Sequence, residues 1–183
     1  MKFVHKSTAA EYAHSFWVRE NLKNGTPIPS APLEQLKKPV EDGGHPYKLP
    51  PPALKRWGVW LLTIPSEMEN LMVIQDQYMS GHDLMVTPPT LGCVVRRAIH
   101  TGYFAAPKEG TQYRLFHEWK DHVLIDKIKG DDRLCLRSTT DAERIESPVS
   151  SFYIVDGWGR SLPYLTWVTL GREFYPIEAY IAE

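Results

Sequence analysis

The sequence predicts a mixed α/β or α+β fold, in which a helical, proline-rich N-terminal half packs on a small mixed sheet. Three observations predict it. Segments with apolar residues at three- and four-residue spacing are interspersed with short apolar or alternating runs. Pairs of Ser or Thr with Glu three residues later mark helix starts, and glycines follow as stops. A chain of 183 residues suits a single domain over 1–183, with enough core to fold without disulfides or metals.

The first third of the chain predicts one helix, a proline-rich segment and a strand. Thr8 and Glu11 form a capping box for a helix over 8–24, which Gly25 ends. Prolines crowd residues 26–53, where an extended path packed on the body is expected because proline fixes φ and removes a donor. The apolar run over 57–64 predicts a buried strand.

The middle of the chain predicts two further long helices and several short elements. Ser66 and Glu69 form a second capping box, for a helix reaching Ser80, and a third helix starts at 87–90 and ends near Gly102. Strands are expected over 113–119 and 133–137, with a strand or short helix over 123–128. A capping box of Thr140 with Glu143 predicts a short helix before Pro148, and no internal repeat is found.

The C-terminal segment carries the strongest functional pattern. A strand over 151–155 runs into Asp156-Gly157-Trp158-Gly159-Arg160, and Ser161 can cap a helix that continues through Leu170, with Gly171 as its stop. A last strand follows over 175–181. Free N–H groups and the positive end of the helix dipole favour an anion at such a turn. Glycine lets the backbone approach a phosphate, and Arg160 can bind it through two hydrogen bonds.

These residues resemble a known family. The run V-D-G-W-G-R-S-L-P-Y-L-T-W-V-T-L-G-R-E-F-Y-P-I-E-A-Y-I is similar to the end of the ParB/sulfiredoxin-like nucleotide-binding fold, with matches at Asp156, Gly157, Arg160, Gly171 and Pro176. The resemblance covers about 150–183, and 110–149 by element order only. It implies a ParB-like α/β core over 110–183, with 1–109 as a helical and proline-rich elaboration, and glycine and arginine positions that border nucleotide phosphates. Members often carry His or Arg where this chain has Trp158 and Gly159. The turn contains no cysteine, so sulfiredoxin-type thiol chemistry is not supported.

Composition excludes or disfavours several other classes. Lys and Arg number 21 against 22 Asp and Glu, so nucleic acid is an unfavoured partner. Two distant cysteines, Cys93 and Cys135, predict free thiols in a reducing cytoplasm, and neither a signal-type N-terminus nor a membrane-length apolar run occurs. His117 and His122 are five residues apart, one too many for a helical metal site, so no metal site is predicted. Arg96, Arg97 and His100 are interpreted as a solvated helix face near a C-terminus.

The sequence therefore predicts a cytoplasmic protein that binds a nucleotide or another phosphate ligand, with magnesium as the accompanying ion of a nucleotide. The ligand-binding residues expected are Asp156, Gly157, Trp158, Gly159, Arg160 and Ser161. A purely structural tight turn is the alternative for these residues, and Trp158 would be either a lid on the core or a stacking platform. Two other functions stay open: a non-enzymatic module that binds a protein partner through 26–53, and a DNA-associated protein as the ParB resemblance would imply. The sequence assigns no catalytic residue.

Overall fold

The protein combines a five-stranded mixed sheet with helices, which confirms the mixed α+β class. The structure, a computed structural model, describes residues 1–8, 11, 56–73, 75, 77–105, 116 and 133–183. The helix over 12–24, the 26–53 segment and the elements expected over 113–128 lie outside these residues. The capping box predicted for the first helix is confirmed. The Thr8 N–H donates to the Glu11 carboxylate at 2.9 Å, and the Glu11 N–H donates to the Thr8 hydroxyl at 3.1 Å.

Five strands form one sheet in the order β1-β2-β5-β3-β4. Only the β5–β3 pair is parallel, and the other pairs are antiparallel. The strands are β1 (Lys2–Lys6), β2 (Trp57–Leu62), β3 (Leu134–Ser138), β4 (Phe152–Asp156) and β5 (Ile177–Ala182). Because β1 and β2 belong to the same sheet as β5, the sheet is not confined to 110–183, and the expected division at residue 109 does not follow the strand pairing.

Five helices are found among the described residues: α1 (Pro65–Glu69), α2 (Gln77–Gly81), α3 (Leu91–His100), α4 (Asp141–Glu146) and α5 (Trp158–Thr169). The α3 prediction is confirmed, with Thr90 as its N-cap. The capping box of α4 is also confirmed, since the Thr140 N–H donates to Glu143 at 2.8 Å and the Glu143 N–H returns a bond to the Thr140 hydroxyl.

The predicted helix over 66–80 is wrong. Helix α1 ends at Glu69, and its capping carboxylate is Glu67, which accepts the Thr63 N–H at 2.6 Å. Met72 then bridges to Tyr153 of β4: its N–H donates to the Phe152 carbonyl at 2.9 Å, and its carbonyl accepts the Ile154 N–H at 2.9 Å. Strand pairing with a distant segment overrides the local preference for helix here.

One hydrophobic core lies between a face of the sheet and helices α1, α3 and α5, which also contact one another. Every second residue of a strand points to the face of the sheet that meets the helices, because side chains alternate between the two faces. It presents Leu62 from β2, Leu134 and Leu136 from β3, and Ile177 and Ile181 from β5, all buried. This packing holds the end of β4 and the start of α5 against β3, which is the position of the predicted phosphate site.

Candidate functional site

The predicted site lies where β4 passes directly into α5. Gly157 is the N-cap and adopts a left-handed conformation, with φ +100° and ψ 2°. Its carbonyl accepts three hydrogen bonds, from the N–H groups of Arg160 (3.0 Å) and Ser161 (2.9 Å) and from the Ser161 hydroxyl (2.9 Å). The helix therefore begins at Trp158, and the prediction that Ser161 is its N-cap is wrong by four residues.

The positive end of α5 carries no capping side chain. No side chain hydrogen-bonds to the first turn at the N-cap, because glycine occupies that position. The helix runs for 12 residues, so a full set of peptide dipoles points at this turn. The Arg160 N–H is satisfied by the Gly157 carbonyl, and an anion can satisfy those N–H groups of a first turn that make no such bond.

Arg160 folds back over the turn instead of extending away from it. Its Nη2 lies 3.5 Å from Asp156 Oδ2, and the two side chains are only 14% and 15% exposed. A Cβ built on Gly157 would lie 3.0 Å from the same Nη2, so the guanidinium rests against the glycine backbone. The 3.5 Å separation exceeds the roughly 2.7–2.9 Å of a strong charge-assisted hydrogen bond, so this is a loose ion pair.

The other predicted site residues hold the turn together. Trp158 is half-buried and packs against the core, in agreement with the lid interpretation. Gly159 has no positive φ, so the conformational need for glycine falls on Gly157 alone. Ser161 is 2% exposed, and its hydroxyl is used by the Gly157 carbonyl, which leaves Asp156 and Arg160 as the charged pair of the turn.

Sequence reasoning missed the residue that shapes this turn from outside. Leu134, at the start of β3, has its Cδ2 only 2.6 Å from the position that a Cβ on Gly157 would take. The next residue along β3, Cys135, is the register partner of Asp156. No sequence signal within 150–183 could name Leu134, because the contact depends on the pairing of β3 with β4, and Leu134 lies outside that segment.

The charged residues of helix α3 that the sequence singled out form contacts within the protein. Arg97 binds both carboxylate oxygens of Asp83 at 2.6 Å and also the Asp83 carbonyl at 3.0 Å. Arg96 donates to the Cys93 sulfur at 3.2 Å. Neither cysteine forms a disulfide bond. Within the described residues, no group of three His, Cys, Asp or Glu side chains could hold a metal ion. His117 and His122 lie outside those residues.

Comparison with protein-family models, with curated proteins and with solved structures found no match to this chain. Among its described helices, none has the length and apolar character needed to cross a membrane. The geometry of the molecule itself therefore carries the functional argument.

Proposed function

We propose that this protein binds a small phosphate-bearing ligand, with a nucleotide as the favoured class, at the turn 156–161. The observation that carries the proposal is an uncapped 12-residue helix whose first turn contains an arginine and starts at a left-handed glycine. The positive end of the helix dipole and the Arg160 guanidinium then lie at the same turn. The resemblance of 150–183 to the end of the ParB/sulfiredoxin-like fold supports the same assignment.

The ion pair with Asp156 is part of this proposal. Both side chains are largely buried. In the turn without ligand, the Asp156 carboxylate therefore neutralises the charge of Arg160 while little of either side chain is exposed to solvent. A phosphate is a stronger partner for a guanidinium than a carboxylate at 3.5 Å, because it can accept two short parallel hydrogen bonds. Ligand binding would then exchange one anion for another beside Arg160 and release the Asp156 carboxylate.

Magnesium fits the released carboxylate. Mg²⁺ bound with a nucleotide typically keeps several waters and uses one or two protein carboxylates together with phosphate oxygens. One carboxylate, Asp156, is the acidic group of the turn, and the described residues offer no cluster that would bind a metal by itself. Metal dependence is therefore expected only together with a nucleotide.

The first experiment is a thermal-shift screen with nucleoside di- and triphosphates, each with and without magnesium. A ligand that binds only the folded state raises the melting temperature in proportion to its concentration and affinity. The affinity of the best ligand is then measured by calorimetry for the wild type and for Arg160→Ala. Loss of the guanidinium should weaken binding by about 1.5–3 kcal/mol, the range for hydrogen bonds to charged groups.

Two variants keep this test sharp. Arg172→Ala removes an exposed arginine just beyond the other end of the same helix, and it should leave the affinity unchanged. Arg160→Lys keeps the charge but loses the planar two-point geometry, so its affinity should fall between those of the wild type and Arg160→Ala. Absence of stabilisation by every phosphate compound, or equal affinity of wild type and folded Arg160→Ala, would contradict the proposal.

A further inference from the structure

A concave surface lies at one end of the sheet, where β1, β2 and β5 meet. It has a volume of about 420 Å³, within the range of about 300–1,000 Å³ of small-ligand pockets. It shares no residue with the turn 156–161. Its lining combines aromatic and cationic side chains around one glycine: Phe3, Lys6, Arg56, Trp57, Gly58 and Trp60.

Gly58 is a buried residue in the lining of this groove. A Cβ there would lie 3.1 Å from the Phe3 ring and 3.2 Å from Trp60 Nε1, closer than such contacts normally allow. The Phe3 and Trp60 rings meet edge to face, with centroids 5.2 Å apart and planes at 73°. The missing side chain lets the Phe3 and Trp60 rings pack close to the backbone of Gly58, and the indole N–H of Trp60 makes no hydrogen bond with the described residues. A ligand acceptor in the groove would satisfy this donor.

The rim of the groove carries two cationic side chains. Lys6 and Arg56 both line it, both are exposed, and neither forms an ion pair within the described residues. Glu183 is the one acidic side chain of the lining. The backbones of Arg56 and Glu183 exchange two hydrogen bonds, of 3.0 and 2.9 Å, which fixes the position of Arg56 at the mouth. Because neither cationic side chain has an ion-pair partner among the described residues, the pair can bind an anionic ligand.

From these features we infer that the groove binds a small aromatic anion, meaning a ring that carries a carboxylate or a phosphate. The ring packs against Phe3 and Trp60, which lie on the same face of the sheet and favour aromatic contacts. The anionic group lies between Lys6 and Arg56, within reach of the Trp60 N–H. Neither the ring nor the anionic group is sufficient by itself. Exposed cations bind a simple anion weakly in salt solution, and a neutral ring leaves Lys6 and Arg56 without an anionic partner.

Indole N–H signals in a ¹⁵N-labelled sample test this inference directly. The chain has six tryptophans, and Trp57→Phe and Trp60→Phe assign the two that line the groove. Titration with phenyl phosphate should shift these two signals saturably. Inorganic phosphate and benzyl alcohol, which each lack one half of the ligand, should bind about tenfold more weakly, since the first loses the ring contacts and the second the charged contacts.

A pair of lysine variants on the same strand provides the control. Lys6→Gln should weaken phenyl phosphate binding by roughly tenfold, whereas Lys2→Gln, which alters an exposed lysine outside the groove, should not. The indole signals of each variant report whether it is folded. The inference is overturned if the Trp57 and Trp60 signals do not shift, if both lysine variants bind equally, or if phenyl phosphate shifts only the signal of Trp158. The last result would assign the ligand to the turn 156–161, so failure here is distinct from failure of the proposed function.

Discussion

Substitution of Gly157 by alanine tests how the turn at 156–161 is built. At φ +100° any L-residue is strained, at a cost of about 1–2 kcal/mol. The new Cβ would also lie 2.6 Å from Leu134 Cδ2. Leu134 is 3% exposed within the core, so its side chain has little room to move aside. Overpacking of this kind typically costs about 1–3 kcal/mol, and the two terms together give about 2–5 kcal/mol.

Gly171 offers a matched control for the strain term. It has nearly the same φ, +101°, but a Cβ there would meet no atom within 4 Å. Gly171→Ala should therefore lose only about 1–2 kcal/mol. Urea denaturation followed by tryptophan fluorescence gives the free energy of unfolding of each variant, and the difference between the two losses isolates the clash with Leu134.

A third variant decides whether the clash is with Leu134 in particular. In a Leu134→Ala background the obstructing methyl group is gone, so Gly157→Ala should cost no more than Gly171→Ala does. The two substitutions at 134 and 157 should therefore be strongly non-additive. Equal losses for Gly157→Ala and Gly171→Ala, within about 0.5 kcal/mol, would refute the packing argument.

Two further predictions concern contacts away from the turn. Arg137 donates hydrogen bonds of 2.7 and 2.6 Å to Glu143, and these bonds lower the pKa of the Glu143 carboxyl in the folded protein. The stabilisation is therefore fully present above the unfolded-state pKa of this carboxyl, and it is lost as the pH falls through the lowered folded-state pKa. Acid titration of stability should therefore show Glu143→Gln losing less free energy of unfolding than the wild type between about pH 6 and pH 3, and parallel curves would contradict it. The buried Tyr164 hydroxyl donates to the Tyr175 carbonyl and accepts the Tyr175 N–H, both at 2.8 Å, and burial raises its pKa to about 12. By urea denaturation Tyr164→Phe should lose about 1–3 kcal/mol, whereas Tyr175→Phe, whose hydroxyl contacts only the exposed Glu173, should lose far less; similar losses would show that the Tyr164 hydroxyl is not the cause.

Local signals in the sequence located the elements whose hydrogen bonds are themselves local. The capping pairs Thr8–Glu11 and Thr140–Glu143 are confirmed because both partners lie three residues apart on one turn. The start of α3 at Thr90 and the strands within 57–64, 133–137 and 151–155 are confirmed for a related reason: their apolar spacing is a property of the segment itself. The same reasoning placed the strand–turn–helix of the candidate site between 151 and 170.

Tertiary structure decided everything that depends on a partner distant in sequence. Strand β1 carries no apolar periodicity, and it exists because its backbone pairs with β2 more than 50 residues later. The pairing of Met72 with β4 interrupts the helix expected over 66–80, although Ser66 and Glu69 have the spacing of a capping box. At the site, the residue types predicted an anion site, which stays a prediction. The left-handed Gly157, the position of Leu134 and the loose Asp156–Arg160 pair follow from how β3 and β4 pack against α5. Side-chain spacing along one segment determines which face is apolar, whereas the choice of neighbour for that face depends on the free energy of the whole packed core.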